Sequence, residues 1–359
     1  MKTILSSGRH HHLVRFGIFL IAVSFIIGMA GCGSLPIEVQ DWYDLDAIRD
    51  NVRGSYILMN DLDSTTAGYE ELASPTANEG KGWRPVGSTA VRRAFIGSFD
   101  GQGYEICDLF IGRPDESDVG LFGVVGTGGV IENVGVVSGN ASGYGNVSTL
   151  VGYNRGTVRN SYVCGNVTGD LDVGSLVGVN GGTVGNSYSD GSVTGRDGVG
   201  GLVGRNEGTV SNSYSIDTVN GSNFIGNLVG VNGGTVSNSY ADGTVNGNNV
   251  VGGLVGRNEG VVSKCYSTGT VAGDEHAGGL VGQNLYGVVS DSVWDTQTSG
   301  QSTSDGGTGK TTAEMKDFTT FLDAGWDIFG VDHSYDRNTG YVWNIVDDLT
   351  YPFLGWQPV

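Results

Sequence analysis

One spacing limits what this chain can fold into. Leu150, Leu176, Leu202, Leu228, Leu254 and Leu280 are separated by 26 residues every time, and each opens a Leu-Val-Gly triplet. A divergent copy, Gly120-Leu-Phe-Gly123, precedes them and makes seven. The unit reads L-V-G-x-N-x-G-x-V-x-N-S-Y-x-x-G-x-V-x-G, followed by a short variable link. Asn154, Asn180, Asn206, Asn232, Asn258 and Asn284 keep one register. Asn160, Asn186, Asn212 and Asn238 keep a second, which Lys264 breaks, and Tyr162, Tyr188, Tyr214, Tyr240 and Tyr266 follow two places later. The residue after each Leu-Val-Gly is Tyr153, Val179, Arg205, Val231, Arg257 or Gln283, a mixture that marks a position facing water.

Within a unit, Gly splits apolar segments of three to five residues, a strand length, and Val, Tyr and Thr suit strands. No segment of the unit holds helical spacing over ten residues. The 64 glycines do not fall at every third position, which excludes collagen. A propeller blade needs about 40–45 residues, so the period is too short for one. One turn of a solenoid fits. The expectation is an all-β fold: a parallel, right-handed β-helix of about 26-residue coils with short helical caps. Successive coils would stack about 4.8 Å apart, placing equivalent residues in columns. Stacked Asn amides would then donate from coil to coil, so the six asparagines from Asn154 to Asn284 are predicted to form a structural ladder. Cys164 and Cys265 would lie about four coils, or about 19 Å, apart, beyond disulfide reach. Adjacent strand residues point to opposite faces unless a bend intervenes, so the pattern leaves open whether Leu or Val of each pair faces inward.

The repeat resembles the GLUG motif family, and the match runs over about residues 120–293. The resemblance implies a filamentous-haemagglutinin-like parallel β-helix and an association with bacterial surface proteins. Those include adhesin-like proteins and a class of immunoglobulin A peptidases whose cleavage depends on a separate zinc domain. No H-E-x-x-H occurs here, and beyond residue 31 the histidines are His276 and His333, so the protease association is not carried over.

Residues 1–31 read as an export signal. Lys2, Arg9 and Arg15 precede an apolar run from Phe16 to Ile27, and Met29-Ala-Gly-Cys32 follows. The run is shorter than the ~20 residues of a spanning helix. The segment resembles a prokaryotic lipoprotein signal, which implies cleavage before Cys32 and acylation of that residue. The expected product carries 16 basic and 38 acidic residues. So acidic a chain is not expected to grip nucleic acid, whose phosphates need a cationic surface.

Domain boundaries follow. Residues 32–36 form a tether and 37–118 an N-terminal cap with irregular coils. The repeats occupy 119–295, and 296–359 form a C-terminal loop, helix and cap. Trp42, Leu45 and Ile48 lie three apart, one face of a short helix that would close the solenoid end. Gly68 to Trp83 reads as a loop thrown out from a coil. Thr311-Thr-Ala-Glu314 reads as a capping box opening a helix to about Asp323.

Chemistry is sparse. Asp61 with Asp63, Asp100 with Asp108, and Asp115, Glu116 and Asp118 are acidic pairs or clusters whose spacing selects no site. Gly306-Gly-Thr-Gly-Lys-Thr311 lacks phosphate-loop spacing. No catalytic residue, metal site or cofactor is expected. The six tryptophans avoid the repeated units; Trp343 and Trp356 are candidates for stacking on sugar rings, with cap packing as the other reading. The sequence therefore points to a lipid-anchored cell-surface β-helix. Its partners would be the membrane, through the lipid, and a surface protein or glycan, and it would bind or display without catalysis. The alternative is a carbohydrate-active enzyme or glycan-binding protein of the same fold.

Overall fold

A computed structural model describes residues 35–88 and 93–358. The predicted leader, with the acylation site Cys32, lies outside the described residues. The unit beginning at Pro36 is a parallel β-solenoid with short helices near both ends.

The coil after Leu176 shows why this sequence winds. Val177–Asn180, Thr183–Gly185, Tyr188–Thr194 and Asp197–Gly200 are its strands. Each pairs in parallel with the residues 26 places on: Val177 with Val203, Thr183 with Thr209, Tyr188 with Tyr214, Val199 with Ile225. Stacking collects the strands into sheets of 7, 10 and 16 strands. Leu176, Val177, Val184, Val193 and Val199 are all 0% exposed, and burial of each such side chain is worth about 1.5–3 kcal/mol. The ambiguity of the Leu-Val pair is resolved by a bend. Leu176 sits in it and Val177 opens the strand beyond, so both point into the core. In the column after Leu-Val-Gly, Tyr153, Arg205, Arg257 and Gln283 reach partly into solvent, whereas Val179 and Val231 are buried. Each valine is paired in register with an arginine in the following coil, Arg205 or Arg257.

Asn154 Nδ2 donates to Asn180 Oδ1 at 2.8 Å, and the same contact recurs at 2.8 Å through Asn206, Asn232, Asn258 and Asn284. Asn154 Oδ1 also accepts from Gly156 N at 2.9 Å, which stitches the bend within its own coil. One buried amide thus serves two structural levels, as the N-x-G spacing requires.

The second Asn register has a different cause. Asn160, Asn186, Asn212 and Asn238 hold φ values of 48–51°, in the left-handed region at the corner between two sheets, and Asn is the side chain that tolerates this best after Gly. The serine that follows points inward. Ser187 Oγ accepts from Ser161 N at 3.2 Å and donates to Gly185 O at 2.8 Å. Cys265 occupies this serine column, and Cys107, Cys164 and Cys265 are free thiols.

At the N-terminal end the helix Trp42–Ala47 is capped by Asp41, and a 3-10 turn continues to Asn51. Trp42, Leu45 and Ile48 are fully buried beneath it. The segment read as a projecting loop is instead folded in. It forms short helices Tyr69–Leu72 and Ala77–Gly80, and Trp83 is fully buried, its Nε1 donating to Leu121 O at 3.0 Å. The aromatic partners explain the difference: Trp42 meets Tyr69 and Trp83 with ring centroids at 5.8 and 5.9 Å.

The capping box forms, with Thr311 N donating to Glu314 Oε2 at 2.8 Å and Glu314 N to Thr311 Oγ1 at 3.2 Å. It does not open a continuous helix. A 3-10 turn ends at Lys316, Asp317 is extended, and its carboxylate caps a second helix, Phe318–Asp323. A three-stranded sheet of Ile328–Gly330, Trp343–Ile345 and Phe353–Leu354 completes this module.

Candidate functional site

The tyrosine column is the most specific surface on the shaft. Tyr162, Tyr188, Tyr214, Tyr240 and Tyr266 stack at centroid spacings of 4.8–5.0 Å with ring planes within 9° of parallel. That spacing is the coil repeat itself, so the backbone ladder sets the ring geometry. The C-terminal module folds back along this column. Tyr214, Tyr240 and Tyr266 share a buried cluster with Met315, Phe321, Trp326, Ile328, Trp343, Ile345 and Leu354.

This placement corrects the sugar-stacking assignment. Trp343 is 0% exposed, packed 5.7 Å from Tyr266 and 4.9 Å from Trp326, so neither face of its ring is open to a ligand. Trp356 is half-buried, stacks at 6.0 Å on Tyr214 and donates Nε1 to Asn212 O at 2.9 Å. Both indoles fix the module to the tyrosine column and do not form a platform.

The column stops at Tyr162. In the preceding coil Gly135 is its register partner, and a Cβ there would come within 2.5 Å of Tyr162 Cζ, so only glycine lets the ring settle over that strand. The Tyr162 hydroxyl donates to Glu105 Oε1, and burial together with that carboxylate pushes the phenol far above its ordinary range. Beside the ring lies a cleft of about 510 Å³ lined by Asp100, Gln102, Gly103, Asn133, Asn160 and Tyr162. Asn133 Nδ2 donates to Asp100 Oδ1 at 2.9 Å, and Asn160 Nδ2 to Asn133 Oδ1 at 3.1 Å.

A second cleft, of about 680 Å³, lies between the N-terminal cap and the first coils. It holds Arg49, Arg84 and Arg93 together with Asp50, Glu116 and Asp118. Arg49 is structural: it bonds Asp46 and the carbonyls of Arg84 and Pro85, and lies 4.8 Å over the Trp83 ring. Glu116 pairs with Arg113 at 3.1 Å and Lys81 at 3.3 Å. Those cations outweigh its partial burial and hold its carboxyl below the usual glutamate range, the wrong direction for a general acid. Asp118 Oδ1 accepts from Asn146 Nδ2 at 2.8 Å.

Three other acidic candidates are engaged within a turn or between segments. Asp63 accepts from Thr65 and Thr66, Asp61 from Glu105 N, and Asp108 from Ser64. Among the described residues no three His, Cys, Asp or Glu side chains form a metal cluster, and no helix is long and apolar enough to cross a membrane.

Sequence reasoning missed Asp217. It stands where neighbouring coils carry Gly191 and Gly243, and it is fully buried. Ser175 Oγ and Ser215 Oγ donate to its carboxylate at 3.1 and 2.9 Å, and Asn227, in the column of Gly201 and Gly253, donates to its carbonyl at 2.7 Å. The signal was present as a paired departure from the repeat, Ile216-Asp217 for Asp-Gly and Asn227 for Gly.

These features define a β-solenoid carrying the GLUG motif, whose family model matches residues 195–220 and 247–272. Halomucin of Haloquadratum walsbyi is 34% identical over 134 residues, which is 36% of this chain and 1% of halomucin. A protein of Evansella cellulosilytica, named as a Gly-rich membrane protein, is 32% identical over 142 residues, 38% of this chain and 15% of that one. The chain thus spans a small part of the curated relatives it matches. The crystal structure of a Bacteroides ovatus protein, assigned as an immunoglobulin A1 protease, superposes with a TM-score of 0.56 at 17% identity, covering 91% of this chain and 94% of that one. At that identity the likeness is one of fold.

Proposed function

We propose that this chain is a lipid-anchored cell-surface solenoid that binds a partner, and that it performs no catalysis. The observation that carries the binding reading is the contrast between shaft and irregular coils. The repeats spend their polar side chains on inter-coil ladders, whereas one of the two larger clefts opens among the non-repeating N-terminal residues and the other where those residues meet the first repeats at Asn133, Asn160 and Tyr162. Glu116, Asp118 and Asp100 there are already ion-paired or hydrogen-bonded, which suits recognition better than proton transfer. The anchor rests on Met29-Ala-Gly-Cys32, and the relative named as a membrane protein supports an envelope location. Two acylation signals on one residue would suffice for stable attachment.

Radiolabelled fatty acid should enter the wild type and not Cys32→Ala, and externally added protease should degrade the chain on intact cells. Label in the variant removes the anchor; protection of the chain on intact cells removes the surface location. The alternative, a carbohydrate-active enzyme, draws on the arginine cleft, where Asp50, Glu116 and Asp118 lie with three arginines. Release of reducing or unsaturated ends from a panel of acidic and neutral polysaccharides would establish it in place of the binding reading.

A further inference from the structure

We infer that the C-terminal corner of the solenoid is a self-association surface, at which two copies of the chain pair the edge strand Val288–Ser290 antiparallel to itself. This goes beyond the binding reading above and depends on neither the anchor nor the clefts.

Three sheets end at this face, and the chain covers two of them. Val293–Asp295 is continued by Thr308–Lys310. The edge of Val281–Asn284 is covered by side chains: Ser304 Oγ accepts from Leu280 N at 3.2 Å and Val281 N at 2.9 Å, and Asp305 Oδ2 accepts from Asn284 N at 2.7 Å. Gly306 lies so close to the inward side chain of Val289 that a Cβ there would come within 2.7 Å of its Cγ2, so the core is shut. The edge of Val288–Ser290, the last strand of the 10-stranded sheet, is left open. Its inner side is spent, since Val288 N donates to Gly260 O and Lys264 N to Ser290 O. The ladder therefore turns the N–H and C=O of Val289, between them, to the free side.

The repeat supplies an internal control for the side chains. On the solvent face the column Thr157, Thr183, Thr209, Thr235 becomes Val261 and Val288 in the last two coils. The residue between the Asn and Gly of the bend is Arg155, Gly181, Glu207, Gly233 or Glu259 in earlier coils and becomes Leu285 here, with Tyr286 inserted after it. Tyr286 is fully exposed and Val288 is 56% exposed. The earlier coils wind with polar residues at these positions, so the winding does not require the apolar ones. Soluble sheets protect an edge strand with charge, proline or a cover, and this edge is instead apolar.

A second copy fits it. Antiparallel pairing centred on Val289 sets the N–H of each Val289 opposite the C=O of the other, the exchange that makes a hydrogen-bonded antiparallel pair. The same register sets Val288 against Ser290 and Asp291 against Gly287, so no like charges meet. Such a contact is isologous and closes at two copies. The opposite end of the sheet is a poorer match: Ile37–Val39 carries exposed Glu38 at its middle, is preceded by Pro36, which has no N–H, and leads at once into the capping helix Trp42–Ala47. With three residues per strand the contact is small, and the dimer is expected to be reversible.

Sedimentation equilibrium of the full chain in density-matched detergent should show a concentration-dependent monomer–dimer equilibrium. Val288→Lys should weaken it at least about tenfold, and Tyr286→Ser about threefold or more. Thr183→Lys, an exposed change in the same column at mid-shaft, should leave it unchanged. Unaltered circular dichroism would show each variant still wound. Disulfide trapping reads the register. With Cys107, Cys164 and Cys265 replaced by serine, a mixture of Val288→Cys chains and Ser290→Cys chains should cross-link, because paired residues lie ~4.5 Å apart. Neither variant alone should, because its own thiols would sit on a diagonal of about 8 Å. A monomer at every concentration, the result if a foreign strand covers this edge, overturns the inference, and so does a dimer that survives Val288→Lys. Cross-linking of either variant with itself in place of the mixture overturns the antiparallel register.

Discussion

Asp217 makes the stability of this solenoid depend on pH in a direction opposite to that of a surface carboxylate. Burial pushes its carboxyl up to about 6, from an ordinary 3.8, against the opposing hydrogen bonds of Ser175 and Ser215 and with a further push from Asp190. The folded state therefore holds this proton more tightly than the unfolded chain. The stabilising effect is fully present below pH ~4 and is lost as pH rises through about 6. A shift of about two units corresponds to about 3 kcal/mol. Asp217→Asn keeps the shape and stays neutral, so it should unfold at higher urea than the wild type at pH 7.5 and at nearly the same urea at pH 4. Urea titrations followed by tryptophan fluorescence, at half-unit steps from pH 4 to 8, would measure both curves. Their difference should grow through the window from 4 to 6 and then level off. Parallel curves for the two proteins would refute the reasoning, because the buried carboxyl would then have no part in the pH dependence.

Three further outcomes follow from the columns. Asn206→Ala removes the acceptor of Asn180 and the donor to Asn232, and should cost about 2–4 kcal/mol in urea unfolding. Asn186 holds φ 49°, so Asn186→Ala should lose about 1–2 kcal/mol by the same assay, whereas Asn186→Gly should lose much less. Trp343→Ala should loosen the C-terminal module from the tyrosine column at a cost of about 3–5 kcal/mol, seen as faster proteolysis after residue 296 while the shaft remains protected.

Much of this architecture is written in the sequence because stacking makes each coil the template for the next. Leu176 and Leu202 recur because they occupy one column, and Asn180 recurs because its amide must meet Asn206. Where a residue answers to something other than the coil above it, the repeat is silent. The left-handed corner at Asn186 is a backbone property with no signature beyond the residue itself. Trp343 was open to misreading because its partners, Tyr240 and Tyr266, lie some way back along the chain and are brought to it only by the return of the C-terminal module. The Tyr162 cleft was hidden for a related reason: Asp100, Asn133 and Asn160 come from different coils and share no local spacing. The capping box was legible, but the extended residue Asp317, which divides the helix, was not.

Register is the claim on which the rest depends, and disulfide trapping reads it directly. Ser211 pairs with Ser237, and Ser237 with Ser263, on one partly exposed column. With the native thiols replaced by serine, Ser211→Cys with Ser237→Cys should cross-link under mild oxidation, since neighbouring strands lie about 4.8 Å apart, within disulfide reach. Ser211→Cys with Ser263→Cys, two coils apart at about 9.6 Å, should not. Cross-linking of the distant pair in place of the adjacent one would contradict the stacked solenoid.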